Sequence, residues 1–81
     1  MAQARSKAHL AYGQALRHFR AELGISQEEL AHLADLDRTY VSGVERGERN
    51  PTLASLLRLV KALDIPLSEL AIRAETTRRR N

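Results

Sequence analysis

Between Leu23 and Gly47 the chain carries two helix-start signals, each followed within ten residues by a stop, and no other feature limits the possible folds so tightly. Ser26 followed by Glu29 reads as a capping box: the Ser26 hydroxyl accepts the backbone N–H of Glu29, and the Glu29 carboxylate accepts the N–H of Ser26. The helix so started ends near Ala34, because Asp35 interrupts the apolar pattern and Asp37 offers a second N-cap directly before Arg38. The next helix covers about Arg38 to Arg46, buries Val41 and Val44 and stops at Gly47. Two short helices joined only by Asp35, Leu36 and Asp37 must cross steeply, so their facing sides must be apolar with one small residue at the contact. Leu30, Ala34, Leu36, Val41 and Val44 fill the apolar positions, and Ala31 is the small one.

Elsewhere apolar residues recur at spacings of three and four, and no β-branched stretch alternates with period two. The class is all-α. The spacing predicts a first helix over about His9 to Glu22, with Ala15, Leu16, Phe19 and Leu23 on one stripe and Gly24 as its stop. Glu48 to Pro51 form a loop. Thr52 caps a fourth helix carrying Leu53, Leu56, Leu57, Val60 and Leu63, and Pro66 opens a fifth carrying Leu67, Leu70 and Ala71. Eighty-one residues leave room for one core. The expected layout is a flexible N-terminal arm over 1–8, one five-helix domain over 9–75 with its central helix pair at 27–46, and a basic disordered tail over 76–81.

The absence of cysteine excludes disulfides, thiolate metal sites and thiol catalysis, and fits a reducing, cytoplasmic setting. Neither a secretory leader nor a run of about 18 apolar residues is written here, so no membrane association is expected. His9, His18 and His32 lack metal-ligand spacing, so no metal site is expected. Ser26, His32 and Asp35 share one short helix, with Ser26 occupied as a cap; neither catalysis nor a cofactor follows from them. The formal charge is +3, but Arg5, Lys7 and Arg78 to Arg80 lie in the tails, and residues 8–75 hold eight basic against ten acidic side chains. Any affinity for polyanions must come from clustering, and Arg38, Arg46 and Arg49 supply a cluster. The arginine triplet either grips phosphates without selectivity or keeps the tail soluble.

From about Leu10 to Ala71 the sequence resembles the Cro/C1-type (Xre) helix-turn-helix regulators. The resemblance rests on Leu-Gly-Ile-Ser-Gln-Glu-Glu-Leu-Ala at 23–31 and Val-Glu-Arg-Gly-Glu-Arg-Asn-Pro-Thr at 44–52, in a frame of five helices. The segment Leu36 to Arg46 is most similar to that of restriction–modification controller proteins. One departure stands at Asp35, a turn position that is often glycine; aspartate tolerates the left-handed backbone better than most residues, so the turn survives.

The resemblance implies a five-helix, lambda-repressor-like domain that binds double-stranded DNA and regulates transcription. In such a unit the second helix enters the major groove with its N-terminal residues over base edges. Arg38, Thr39 and Ser42 are then the base-contact candidates, Arg38 because its fork can bond guanine O6 and N7 together. Gln27, Tyr40, Arg46, Arg49 and Asn50 are the candidates for backbone or shape contacts. Each has a plainer alternative: Arg38 as a solvated helix-start arginine, Tyr40 as a ring packed over the preceding helix. Gly43 either lets the helix backbone come close to the bases or serves packing alone. The resemblance also places Arg20 against Glu45 as a structural ion pair.

One recognition helix reads too few base pairs for useful specificity, so doubling is expected. Ile65, Leu67, Leu70 and Ile72 exceed what five short helices bury, and Ile65, Leu67 and Leu70 are the expected homodimer interface. That places two recognition helices about 34 Å apart on a palindromic operator. Two alternatives are an antitoxin that also binds a toxin, and a module that uses this fold for protein contacts alone.

Overall fold

Ser6 starts the first helix earlier than the periodicity predicts. Its hydroxyl accepts the backbone N–H of His9 at 3.1 Å, and α1 runs Lys7–Leu23. The structure, a computed structural model, describes residues 6–80, with side chains described as far as Thr77. Arg5 and the side chains of Arg78 to Arg80 lie outside the described residues. The remaining helices are α2 Gln27–Ala34, α3 Arg38–Glu45, α4 Leu53–Leu63 and α5 Leu67–Arg80, with no strand among the described residues.

Local chemistry explains the inner boundaries. Gly24, at φ 71°, turns the chain out of α1 while the N–H groups of Gly24 and Ile25 close on the carbonyls of Ala21 and Arg20. Ser26 and Glu29 form both bonds of the capping box. Asp35 ends α2 in the left-handed conformation at φ 58°, and Arg58 Nη1 donates to its carbonyl at 3.2 Å. The Asp37 side chain accepts the N–H of Thr39 at 3.0 Å, and Thr52 does the same for Ser55.

Both expected outer boundaries are corrected. Lys7 and Ala8 belong to α1, not to an arm, because Ser6 is a competent cap. The break expected at Thr76 is absent and α5 continues to Arg80. No glycine or proline interrupts it, and Ala74, fully buried, with Thr77, half-buried, keeps the helix on the body of the domain.

The core is centred on Leu16, Leu30, Val41, Val44, Leu59 and Leu70, with Phe19, Val60, Leu63 and Ala74 closing it. The predicted apolar stripes need three corrections. Leu23 is exposed, one turn beyond the core. On α4, which packs chiefly on α2, Leu59 is buried and Leu53 and Leu57 stand out at 63% and 48% exposure. Leu70, expected on a dimer surface, is 0% exposed. It packs within its own chain, because α5 lies along α1 and turns Leu70 and Ala74 inward.

Gly13 sets the spacing between α1 and α3. A β-carbon there would stand 2.5 Å from the Glu45 carbonyl oxygen and closer still to that of Val44. Gly13 and Arg20 are seven residues apart and so share a helix face; the close approach at Gly13 brings Arg20 within reach of α3. Gly13→Ala should therefore push the helices apart and cost about 1–3 kcal/mol, read as a lower Tm in thermal denaturation. An unchanged Tm would show that the crossing is free to widen.

Candidate nucleic-acid interface

The outward side of α3 is what remains once Val41, Val44 and Glu45 face the core. Arg38 and Thr39 are exposed at its N-terminal end, and Ser42 and Tyr40 are half-buried. Arg46, Arg49 and Asn50 are exposed at its far end and in the loop that follows. The structure thus brings seven of the eight DNA-contact candidates to α3 and its following loop. Gln27, the eighth, sits at the first position of α2.

The arginines of this region differ in what they touch. Arg46 donates to Ser42 Oγ and pairs with Glu48, Nε and Nη2 lying 3.2 and 3.1 Å from Oε1. Such exposed bonds contribute about 0–1 kcal/mol, so a phosphate can displace them at little cost. Arg49 lies with its guanidinium carbon 5.8 Å from the centre of the Tyr40 ring. The Arg38 side chain makes no hydrogen bond or ion pair with the described residues. It projects from the start of a helix held by Asp37 on one side and by a packed valine face on the other.

Behind this surface lies a buried polar cluster. Arg20 Nε donates to Glu45 Oε2 at 2.7 Å and Nη2 to Oε1 at 3.1 Å, while Nη1 reaches the Ile25 carbonyl at 2.9 Å. The side chains are 15% and 1% exposed. The Glu45 hydrogen bonds raise the Arg20 pKa above its already high ordinary value, with burial opposing and the Glu45 charge assisting. Gln27 Nε2 donates to Glu45 Oε1 at 2.9 Å. One carboxylate therefore ties α1, α2 and α3 together, and the Gln27 amide spends one of its donors inside the protein.

Two features were not legible in the sequence. Arg58 reaches the turn carbonyl at Asp35 from 23 residues away, and no local pattern marks that contact. Gly43 lies on the outward side of α3 yet is buried, because the Arg49 side chain covers it; it does not leave the helix backbone open to an approaching base edge.

A helix-turn-helix family model matches residues 16–70, a span that contains the α2–α3 pair and most of the core. The chain belongs to the Cro/C1-type helix-turn-helix family. Within that family it is similar to the control protein C.SmaI of Serratia marcescens, with 45% identity over 58 residues, or 72% of this chain and 69% of that one. The crystal structure of the restriction-modification controller protein C.AhdI from Aeromonas hydrophila shares 53% identity at a TM-score of 0.76, covering 76% of this chain and 94% of that one. The wild-type restriction-modification controller protein C.Esp1396I superposes at a TM-score of 0.87 with 32% identity, covering 94% and 99%. Among the described residues no helix is long and apolar enough to cross a membrane.

Proposed function

We propose that this chain is a transcriptional regulator that reads double-stranded DNA through α3 as a homodimer on a palindromic operator, in the manner of a restriction–modification controller. The observation that carries the reading is the state of Arg38: exposed, uncommitted, and placed at the capped end of a helix whose other side is locked into the core. A helix so presented can enter a major groove, where a bidentate arginine–guanine pair discriminates bases. Thr39 and Ser42 extend the base-contacting face. Tyr40, Arg46, Arg49, Asn50 and Gln27 surround it as contacts to phosphate or groove shape. No cofactor is required by this chemistry.

With Leu70 buried, the dimer surface shifts to α4. Leu53 and Leu57 are exposed beside Leu56, which lines an apolar cleft of about 300 Å³ together with Tyr12, Pro51, Leu67 and Ala71. Ile65 and Leu67 remain at the edge of this surface, half-buried. Leu57→Lys should give a particle of monomer mass in sedimentation with an unaltered helical signal, and weaker operator binding. A dimer of parental mass would place the interface elsewhere.

The reading is tested by selection from randomised duplex DNA at about 150 mM salt, where nonselective attraction is much reduced. Recovery of a palindrome with half-sites about one helical turn apart, roughly 34 Å, supports it. No enrichment would overturn it in favour of a protein-contact module.

A further inference from the structure

We propose that Gly43 is a positioning residue: its missing side chain is the seat that lays Arg49 along α3 and delivers the loop arginine to the reading end of the helix. The inference rests on the DNA-reading function proposed above. Gly43 follows Thr39 by four residues and Tyr40 by three, so it lies between them on the outward side of the helix. Residues there should be exposed, yet Gly43 is buried. What covers it is the aliphatic stem of Arg49: a β-carbon at position 43 would stand 2.5 Å from Arg49 Cγ and 3.6 Å from Cβ and Cδ. The backbone anchors the same arrangement, since the N–H groups of Glu48 and Arg49 both donate to the Gly43 carbonyl, at 2.9 and 3.2 Å. From that base the stem crosses Gly43 and the guanidinium reaches the Tyr40 ring, 5.8 Å from its centre.

The consequence is a shared surface. Tyr40, Thr39 and Arg49 line one shallow depression with the turn residues Leu36 and Asp37. Arg49 starts in the loop after α3, but its charge is carried back toward the N-terminal end that the proposed docking places over the bases. A cation–π contact with Tyr40 biases it there before DNA arrives, so less side-chain freedom is lost on binding. Any side chain at position 43 occupies the seat, and Arg49 must swing away from the ring.

Gly43→Ala isolates this role, because alanine is the better helix former and the displaced side chain is an exposed one. Two measurements are made on the full chain. Without DNA, NMR should show nuclear Overhauser contacts between the end of the Arg49 side chain and the Tyr40 ring in the parent and their loss in Gly43→Ala, with Tm equal or higher. With the selected operator, Gly43→Ala and Arg49→Ala should each bind at least about tenfold more weakly, with a shallower salt dependence, and the double variant should bind no worse than Arg49→Ala. Parental affinity in Gly43→Ala, or losses that add in the double variant, would overturn the seat while leaving DNA reading intact. Absence of those Arg49–Tyr40 contacts in the parent would overturn it as well. If the parent itself selects no operator, the functional reading falls and the positioning role falls with it, whatever the NMR shows of the contact.

Discussion

Arg38→Ala is expected to abolish selection of a defined operator while leaving the domain folded. The side chain is exposed and has no partner among the described residues, so its removal should change stability by no more than about 0.5 kcal/mol. Its proposed contribution lies in discrimination: one bidentate arginine–guanine pair is worth about 1–3 kcal/mol against the wrong base. A dimer makes that contact twice, worth about 2–6 kcal/mol in all, so the preference for operator over scrambled duplex should fall by a factor of about 30 to 20,000. Arg38→Lys separates charge from geometry. A lysine keeps the positive charge but loses the planar fork, so binding to scrambled DNA and its salt dependence should persist while selectivity falls. The measurement is a pair of titrations, operator and scrambled duplex, at one salt concentration. Enrichment of the parental palindrome by Arg38→Ala would sink the base-reading role.

Glu45→Ala is the variant with the largest expected cost to stability. It leaves the Arg20 side chain, 15% exposed in the parent, with only the Ile25 carbonyl as a partner, and frees the Gln27 amide. Arg20 cannot escape by losing its proton. In the parent its pKa is raised by Glu45, so on the basic side the stabilisation of the pair is lost only as pH climbs above the ordinary arginine range. Breaking one side of a buried pair costs about 3–5 kcal/mol, a large share of the roughly 5–15 kcal/mol that holds a small domain together. Arg20→Met with Glu45→Leu removes both charges and should recover most of the loss, because apolar side chains of similar volume avoid the desolvation penalty. Chemical denaturation of the parent, Arg20→Met, Glu45→Leu and the double variant gives the coupling directly. Equal stability of Glu45→Ala and the parent would contradict it. Operator affinity should also fall in Glu45→Ala, since Gln27 and the start of α2 lose their tie to α3.

Position along the chain decides what the sequence alone reveals. The start of α2, the left-handed turn at Asp35, the start of α3 and the cap of α4 depend on Ser26, Glu29, Asp35, Asp37 and Thr52 bonding to backbone within three residues. Such signals are local, and they placed the helix pair that carries the proposed interface. Val41 and Val44 follow from periodicity, and the resemblance sets Arg38 and Thr39 on the outward face.

The remaining features depend on contacts between distant parts of the chain. A periodic pattern shows that a helix has an apolar side but not which neighbour turns it, so α4 hides Leu59 and exposes Leu53 and Leu57, and α5 takes Leu70 into the core. Gly13 reads as an ordinary helix residue until α3 crosses it, and Arg58 as a surface cation until it meets the Asp35 carbonyl. Gly43 stands at an outward position by sequence and is covered only because Arg49 folds back over it. Hydrogen bonds within one turn are decided by neighbouring residues. Burial is decided by whatever the rest of the chain brings to the same place, and that depends on packing the whole domain at once.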